Sequence, residues 1–405
     1  MGRLMKALSA LSQILILSSC GFRAADTQVV SSVVASGGQG GCAVAAGGKL
    51  YCWGYNGFGQ LGTGNDTDSN SPVRATLISG EVTAVTTGSA HTCVIVDSEP
   101  YCFGFNADGE LGNGTTENSS TPVSPTGLTA HATTSIAASA LFTCAVNGGA
   151  IWCWGDNSNY NLGNDSNVTS SVPVNAVGLT SGGTSVAVGG LHACAVADGQ
   201  AFCWGINLHG QLGIGSSVSL KKTPTALPEL SSGVTQISAG AHHTCAIANA
   251  SLKCWGRNTY GQLGDGSTDN QMGPVAVEGM SSGVTSVSCG GAHVCAIKDG
   301  KVYCWGYNYA GQVGNGTTTN SSTPVLVQGL STGVASISAG SFHSCAVSGS
   351  DVYCWGHNAE GQLGNATTQR ALVPSYVVLL NSLTAYPLFW WSHLKGVFSF
   401  FGLTF

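Results

Sequence analysis

The chain has 405 residues, of which 43% are apolar and only 8% charged, with a net charge of −6. Charged residues usually make up about 25%, and no basic run here exceeds Lys221-Lys222, so an electrostatic footprint for nucleic acid is excluded. Length alone would allow two or three domains, and sixteen cysteines suit an oxidising compartment.

At the N-terminus, Arg3 and Lys6 precede an apolar stretch, "ALSALSQILIL" (7–17). Residues 1–20 therefore read as an export signal. Leu17-Ser18-Ser19-Cys20 followed by Gly21 resembles a bacterial lipobox, which implies acylation of Cys20 and stable membrane attachment. An ordinary cleaved signal is the alternative, and it gives a secreted protein.

From residue 27 to 380 one pattern recurs seven times. Its marker triplets are Cys52-Trp53-Gly54, Cys102-Phe103-Gly104, Cys153-Trp154-Gly155, Cys203-Trp204-Gly205, Cys254-Trp255-Gly256, Cys304-Trp305-Gly306 and Cys354-Trp355-Gly356, spaced 50 or 51 residues apart. A fixed period of this size means a solenoid, a propeller or an array. It overrules the count from length and predicts one domain. Within a unit, "GVTSVSCGG" (283–291) alternates. "VCAIKDGKVYCWG" (294–306) is two short runs around Asp299-Gly300, a hairpin signal. "STPVLVQG" (322–329) is a further extended run begun by a proline. About four short strands per unit predict an all-β, seven-bladed propeller; a parallel β-helix is the runner-up. The first unit lacks a preceding Pro-Val run and the last ends in "LVPSYVV" (372–378). That phase predicts closure of the ring by a C-terminal strand in the first blade.

With Asp299-Gly300 as the turn, Lys298 faces Lys301 and, counting outward, Cys295 faces Cys304 at a non-hydrogen-bonded site, within disulfide reach. Cys93/Cys102, Cys144/Cys153, Cys194/Cys203, Cys245/Cys254 and Cys345/Cys354 share this spacing, and Cys42/Cys52 has one extra residue that a bulged turn absorbs. Seven intra-blade disulfides are predicted. Cysteine pairs spread around a ring cannot converge on one zinc. Cys20 and Cys289 remain, the latter at a position held by alanine in other units. Asp66 and Asp68 hint at a calcium loop but lack its Gly and Glu, so neither metal nor cofactor is expected. Nine Asn-x-Ser/Thr sequons are attributed to composition. The tail, 381–405, leaves the pattern and is aromatic-rich; a hydrophobic clasp, a membrane-surface segment and non-native sequence all stay open.

By "HTCA…CWGxNxxGQLG", repeated sevenfold over some 350 residues, the chain resembles the regulator of chromosome condensation repeat family, in particular its bacterial exported members. The resemblance implies a seven-bladed propeller. Its eukaryotic namesake is a nuclear guanine-nucleotide exchange factor. An export signal, paired cysteines and even spacing without a large blade insertion argue against that role here. Other relatives inhibit β-lactamases through loops on one face, or sense UV-B light through clustered tryptophans; here the tryptophans share one phase and read as packing between blades.

Residues copied round the ring read as structural, including His91, His192, His243, His293 and His343 and the Gln of Gly-Gln-Leu-Gly. No ordered catalytic set departs from the repeat, so an enzyme is not expected. The variable positions of "CWGxNxxGQLG" should emerge on one face. They include Tyr55, Phe58, Phe105, Asp108, Asp156, Tyr160, Leu208, His209, Arg257, Tyr260, Tyr307, Tyr309, His357 and Glu360. Such an aromatic-rich, weakly charged set suits a protein-docking face, since Tyr and Arg are favoured hot spots. Local packing over neighbouring turns is the alternative role for these side chains. The expectation is a monomeric, envelope-anchored or secreted protein-binding module. A carbohydrate-binding envelope module is the second reading, and a GTPase regulator a third.

Overall fold

Asp299 and Gly300 are both left-handed, with φ of 51° and 72°. This conformation matches the twist of a two-residue hairpin, and it sets the register of the pair it closes. Lys298 faces Lys301, Ile297 faces Val302, Ala296 faces Tyr303 and Cys295 faces Cys304, as the spacing predicts. The computed structural model describes residues 30–377 apart from Ala46, and repeats this hairpin in every unit. In the first unit Ala45 faces Lys49 across a three-residue loop, and the extra residue is absorbed there, leaving Cys42 opposite Cys52. All seven cysteine pairs lie at disulfide distance within one hairpin, with Cα atoms 4.0–4.1 Å apart. Cys289 is free and buried. The lipobox with Cys20 and the tail at 381–405 lie outside the described residues.

Each unit is one four-stranded antiparallel sheet of consecutive strands, and seven such sheets make the propeller. The first blade comprises Val30–Ser36, Gly40–Ala45, Lys49–Gly54 and Ser69–Arg74. First strands of neighbouring blades touch and line the axis, around a cavity of about 300 Å³. Second strands are buried along nearly their whole length, as in His91–Val96 and His192–Ala197. Apolar clusters form between blades: Trp204 packs with Phe142, Val146 and Ile151 of the preceding blade.

Closure differs from the expectation. The last strand, Ala371–Tyr376, pairs with Asp351–Gly356 of its own blade and not with the first blade. The Pro-Val run is therefore the outermost strand of the unit that precedes it. The proline also sits fourth in that strand and not first: the strand holding Pro324 is Ser321–Leu326. All seven outer strands carry one, at Pro72, Pro122, Pro173, Pro224, Pro274, Pro324 and Pro374, in the irregular stretch that the pairing skips. An edge or a bulge is where a sheet tolerates the missing N–H.

Recurrent bonds between blades join the ends instead, among them that from Ser341 N–H to the Gly37 carbonyl at 3.2 Å. The backbone N–H of Gly64 donates to Ser120, Gly114 to Ser171, Gly215 to Met272 and Gly316 to Leu372, and Ala366 of the last blade donates to Asn70 of the first at 2.9 Å. Indole N–H groups bond backward to the previous blade. Trp154 reaches the Glu110 carbonyl and Trp355 that of Gln312, and Trp53 closes the ring on Gln362 at 2.9 Å. At the axis, hydroxyls accept from the next first strand: Ala339 N–H donates to Ser288 Oγ, and Ser36 N–H to Ser338 Oγ. The tryptophans thus pack between blades, as their shared phase suggests, and also bond there.

Candidate binding face

Consecutive antiparallel strands put the turn after the first strand and the loop after the third at the same end of every blade. The loop is built around a buried asparagine: Asn56, Asn106, Asn157, Asn207, Asn258, Asn308 or Asn358. In the sixth blade, Asn308 Oδ1 accepts from Val313 N–H at 2.9 Å, and its Nδ2 donates to the carbonyls of Thr317 and Thr319. One side chain satisfies backbone groups from three parts of the loop, which a buried loop requires. Sequence reasoning passed over this residue as a constant; its sevenfold recurrence was the available signal.

Two other features have local causes. Sequon asparagines Asn65, Asn113, Asn164, Asn315 and Asn365 accept from the N–H two residues on, an Asx turn that Asp265 reproduces. Turn geometry, more than composition, writes the motif. Asp68 caps Asn56 N–H at 2.6 Å, so that half of the calcium hint is a loop cap.

The copied histidines are buried. His192 Nε2 lies 2.8 Å from Thr244 Oγ1, which donates to the Gln211 carbonyl, so the imidazole is the donor in this chain of bonds. Burial, then His243 and His242, lowers the pKa of His192 to about 3. It is a neutral structural group, as its repetition implies.

The variable positions all fall on the loop after the third strand, on one face. They form two aromatic groups. In the first, Phe58 meets Tyr55 at 6.0 Å and Phe105 of the next blade at 5.1 Å between ring centroids. In the second, Tyr307 is the hub, 4.8 Å from Tyr260 and 6.5 Å from Tyr309. Phe342, which lies on a turn and was not among the candidates, links Tyr307 to His357 at 6.3 and 6.5 Å. Tyr309 is 70% exposed, Leu208 65% and Phe342 47%. The remaining rings are half-buried against one another. The rings thus pack over neighbouring turns, while Tyr309, Leu208 and Phe342 present apolar surface.

Charged candidates divide by sector. Asp108 lies beside buried Glu110, whose Oε2 accepts its N–H at 3.0 Å. Asp156 is buried and bonds Ser158 and Asn161 of its own loop. His209 and Arg257 lie at the junction of the fourth and fifth blades, where the Arg257 guanidinium is 5.9 Å from the Tyr260 ring centre. Tyr160 is displaced from the expected phase. It occupies the position of Gly59, Gly109 and Gly261 and takes a left-handed φ of 59°, with Lys222 over its ring at 4.9 Å. Contact with a cation is a gain that offsets part of the left-handed cost.

Residues 81–386 match the RCC1-like domain, and residues 47–95 and 30–60 match the regulator of chromosome condensation (RCC1) repeat. The chain belongs to the RCC1-like family. Among curated proteins, this RCC1-like chain is 32% identical over 248 residues to the mitochondrial RCC1 domain-containing protein RUG3 of Arabidopsis thaliana, which covers 59% of the chain and 44% of the relative. It is 37% identical over 67 residues to the ultraviolet-B receptor UVR8 of the same plant, covering 16% of the chain and 15% of the relative. The chain thus spans less than half the length of both. Among solved structures, human WBSCR16 superposes with a TM-score of 0.71 at 19% identity, covering 82% of this chain and 94% of that one. Prp20p of Saccharomyces cerevisiae gives 0.71 at 20%, covering 88% and 89%. These likenesses establish the propeller fold.

Proposed function

We propose that this RCC1-like propeller is a non-enzymatic protein-interaction module that docks a partner on the loop face. The supporting observation is the continuous aromatic arc of Tyr260, Tyr307, Tyr309, Phe342 and His357, with Tyr309 and Phe342 exposed and all but Phe342 on loops whose backbone is braced by buried asparagines. Large rings on a rigid base give contact area at little entropic cost. Related propellers have protein partners: yeast RCC1 (Prp20) has been crystallised with Kap60, and Prp20p is described by its binding to Gsp1p and histones. We further propose an exported protein, anchored through Cys20 or secreted. The sequence of residues 1–20, which reads as an export signal, and the seven cysteine pairs support this, because such pairs persist in oxidising compartments.

The test is affinity capture from envelope extracts with wild type and a Tyr260→Ala/Tyr307→Ala/Phe342→Ala variant. The expected result is one protein retained only by wild type and rebinding when purified. Equal retention by a normally folded variant would refute docking on this arc. Retention of glycans on an array, with no protein retained, would favour the carbohydrate reading.

A further inference from the structure

At the junction of the fourth and fifth blades, three basic side chains converge. His209 and His242 lie edge to face, with ring centroids 5.3 Å apart. The Arg257 backbone N–H donates to the His242 carbonyl at 2.9 Å, and its guanidinium, which donates from Nε to Thr259 Oγ1 at 3.1 Å and lies against the Tyr260 ring, acts electrostatically on both imidazoles. His242 Nδ1 is buried and has no hydrogen-bond partner. His242 is also a departure from the repeat: the same turn position holds Gln39, Ala90, Leu141, Leu191, Ala292 and Phe342 in other blades. None of these is ionisable, so the fold does not require a titratable residue there.

The electrostatics agree with the geometry. Burial, then His209, then Arg257 holds the His242 pKa below its ordinary value, and burial, then Arg257, does so for His209. His192 and His243, behind the junction, feel His242 in the same sense. No carboxylate contributes to the environment of either ring, so no anion in the free protein balances these groups. An anion would reverse that sign. It would pair with the guanidinium fork and hold both imidazoles protonated as donors.

We propose that His209, His242 and Arg257 form a subsite for an anionic oxygen group, a carboxylate or a phosphate ester, carried by the docked partner. The source rests on the docking reading above; the anion chemistry does not. Binding takes up protons, so it strengthens as pH falls from about 7.5 to about 5.5.

The test uses acetate and inorganic phosphate, titrated separately into the full chain while imidazole resonances are followed by NMR. His209 and His242 should shift together and saturably, about tenfold more tightly at pH 5.5 than at 7.5. The probe that saturates identifies carboxylate or phosphate as the source. Arg257→Gln should weaken binding at least about fivefold. His242→Ala, which restores the residue of Ala90 and Ala292, should fold normally and reduce the pH dependence to that of His209 alone. If neither probe saturates, or if His357 shifts in parallel, or if Arg257→Gln binds as well as wild type, the subsite does not exist. Because no partner is present, such a failure would leave docking on the aromatic arc to be judged by its own variant.

Discussion

Glu110 stands where Gln60, Gln211, Gln262, Gln312 and Gln362 stand in other blades. Those glutamines accept a backbone N–H through Oε1, as Gln262 does from Tyr260 at 2.9 Å, and Glu110 keeps that bond through Oε2. Its Oε1 is buried without a partner. Burial, opposed by two backbone N–H bonds and reinforced by Asp108 and Asp156, pushes its carboxyl up to about 7. A raised carboxyl pKa stabilises the fold below the ordinary carboxylate range. That stability is lost as pH rises to about 7, with no further change above. Glu110→Gln should therefore flatten the dependence of thermal stability on pH between about 4.5 and 7 and raise stability at pH 7.5 by roughly 1–2 kcal/mol, allowing for screening. An unchanged pH slope in calorimetry would contradict the assignment. At the same scale, Asn308→Ala removes bonds to one N–H and two carbonyls and should cost about 3 kcal/mol in denaturant unfolding. A change at exposed Thr319 should cost under about 0.5 kcal/mol.

The hairpin was the most legible element, because its partners are neighbours in sequence. Counting outward from Asp299-Gly300 gives the register that is observed, and with it every cysteine pair. Replacing Cys295 and Cys304 together by Ala should cost about 2–3 kcal/mol by the loop-entropy estimate, measured by chemical denaturation of the oxidised protein. The outer strand was misassigned for an equally physical reason. A ring of repeats has no unique starting point, so the Pro-Val run reads equally well as the first strand of one unit or the last of the one before. Only the pairing of Ala371–Tyr376 with Asp351–Gly356 decides. Once placed, the prolines gain a role. An outer strand presents unpaired backbone groups, and a proline at its centre withholds one donor from any incoming chain. Pro274→Val and Pro324→Val together should leave the melting temperature nearly unchanged and increase self-association, read by light scattering against concentration.

For the whole molecule, the seven-bladed ring was readable from the period, whereas the face was readable only in outline. The loop positions were identifiable because they vary against a constant frame. The contacts that organise them were not, since Phe342 meets Tyr307 and His209 meets His242 across blade boundaries that no local pattern marks. Because no strand is exchanged between the ends, a circular permutant cut between Gly279 and Gly283, with residues 30 and 377 joined by a short linker, should fold and melt in one cooperative transition. A cut inside the Lys298–Lys301 hairpin should not, and calorimetry of both decides. The bonds between blades also have a direction: the Gly64 type of N–H reaches forward into the blade not yet made, and each indole reaches back. A chain emerging from the ribosome therefore satisfies each junction only when the later blade appears. Trp53 and the Asn70 carbonyl wait longest, until Gln362 and Ala366 arrive. Through that interval each end of the nascent protein holds one unmet donor and one unmet acceptor, Trp53 N–H with the Asn70 carbonyl at one end and Ala366 N–H with the Gln362 carbonyl at the other. The contest at the last step is between ring closure and head-to-tail joining with another unfinished copy, and dilution favours the ring.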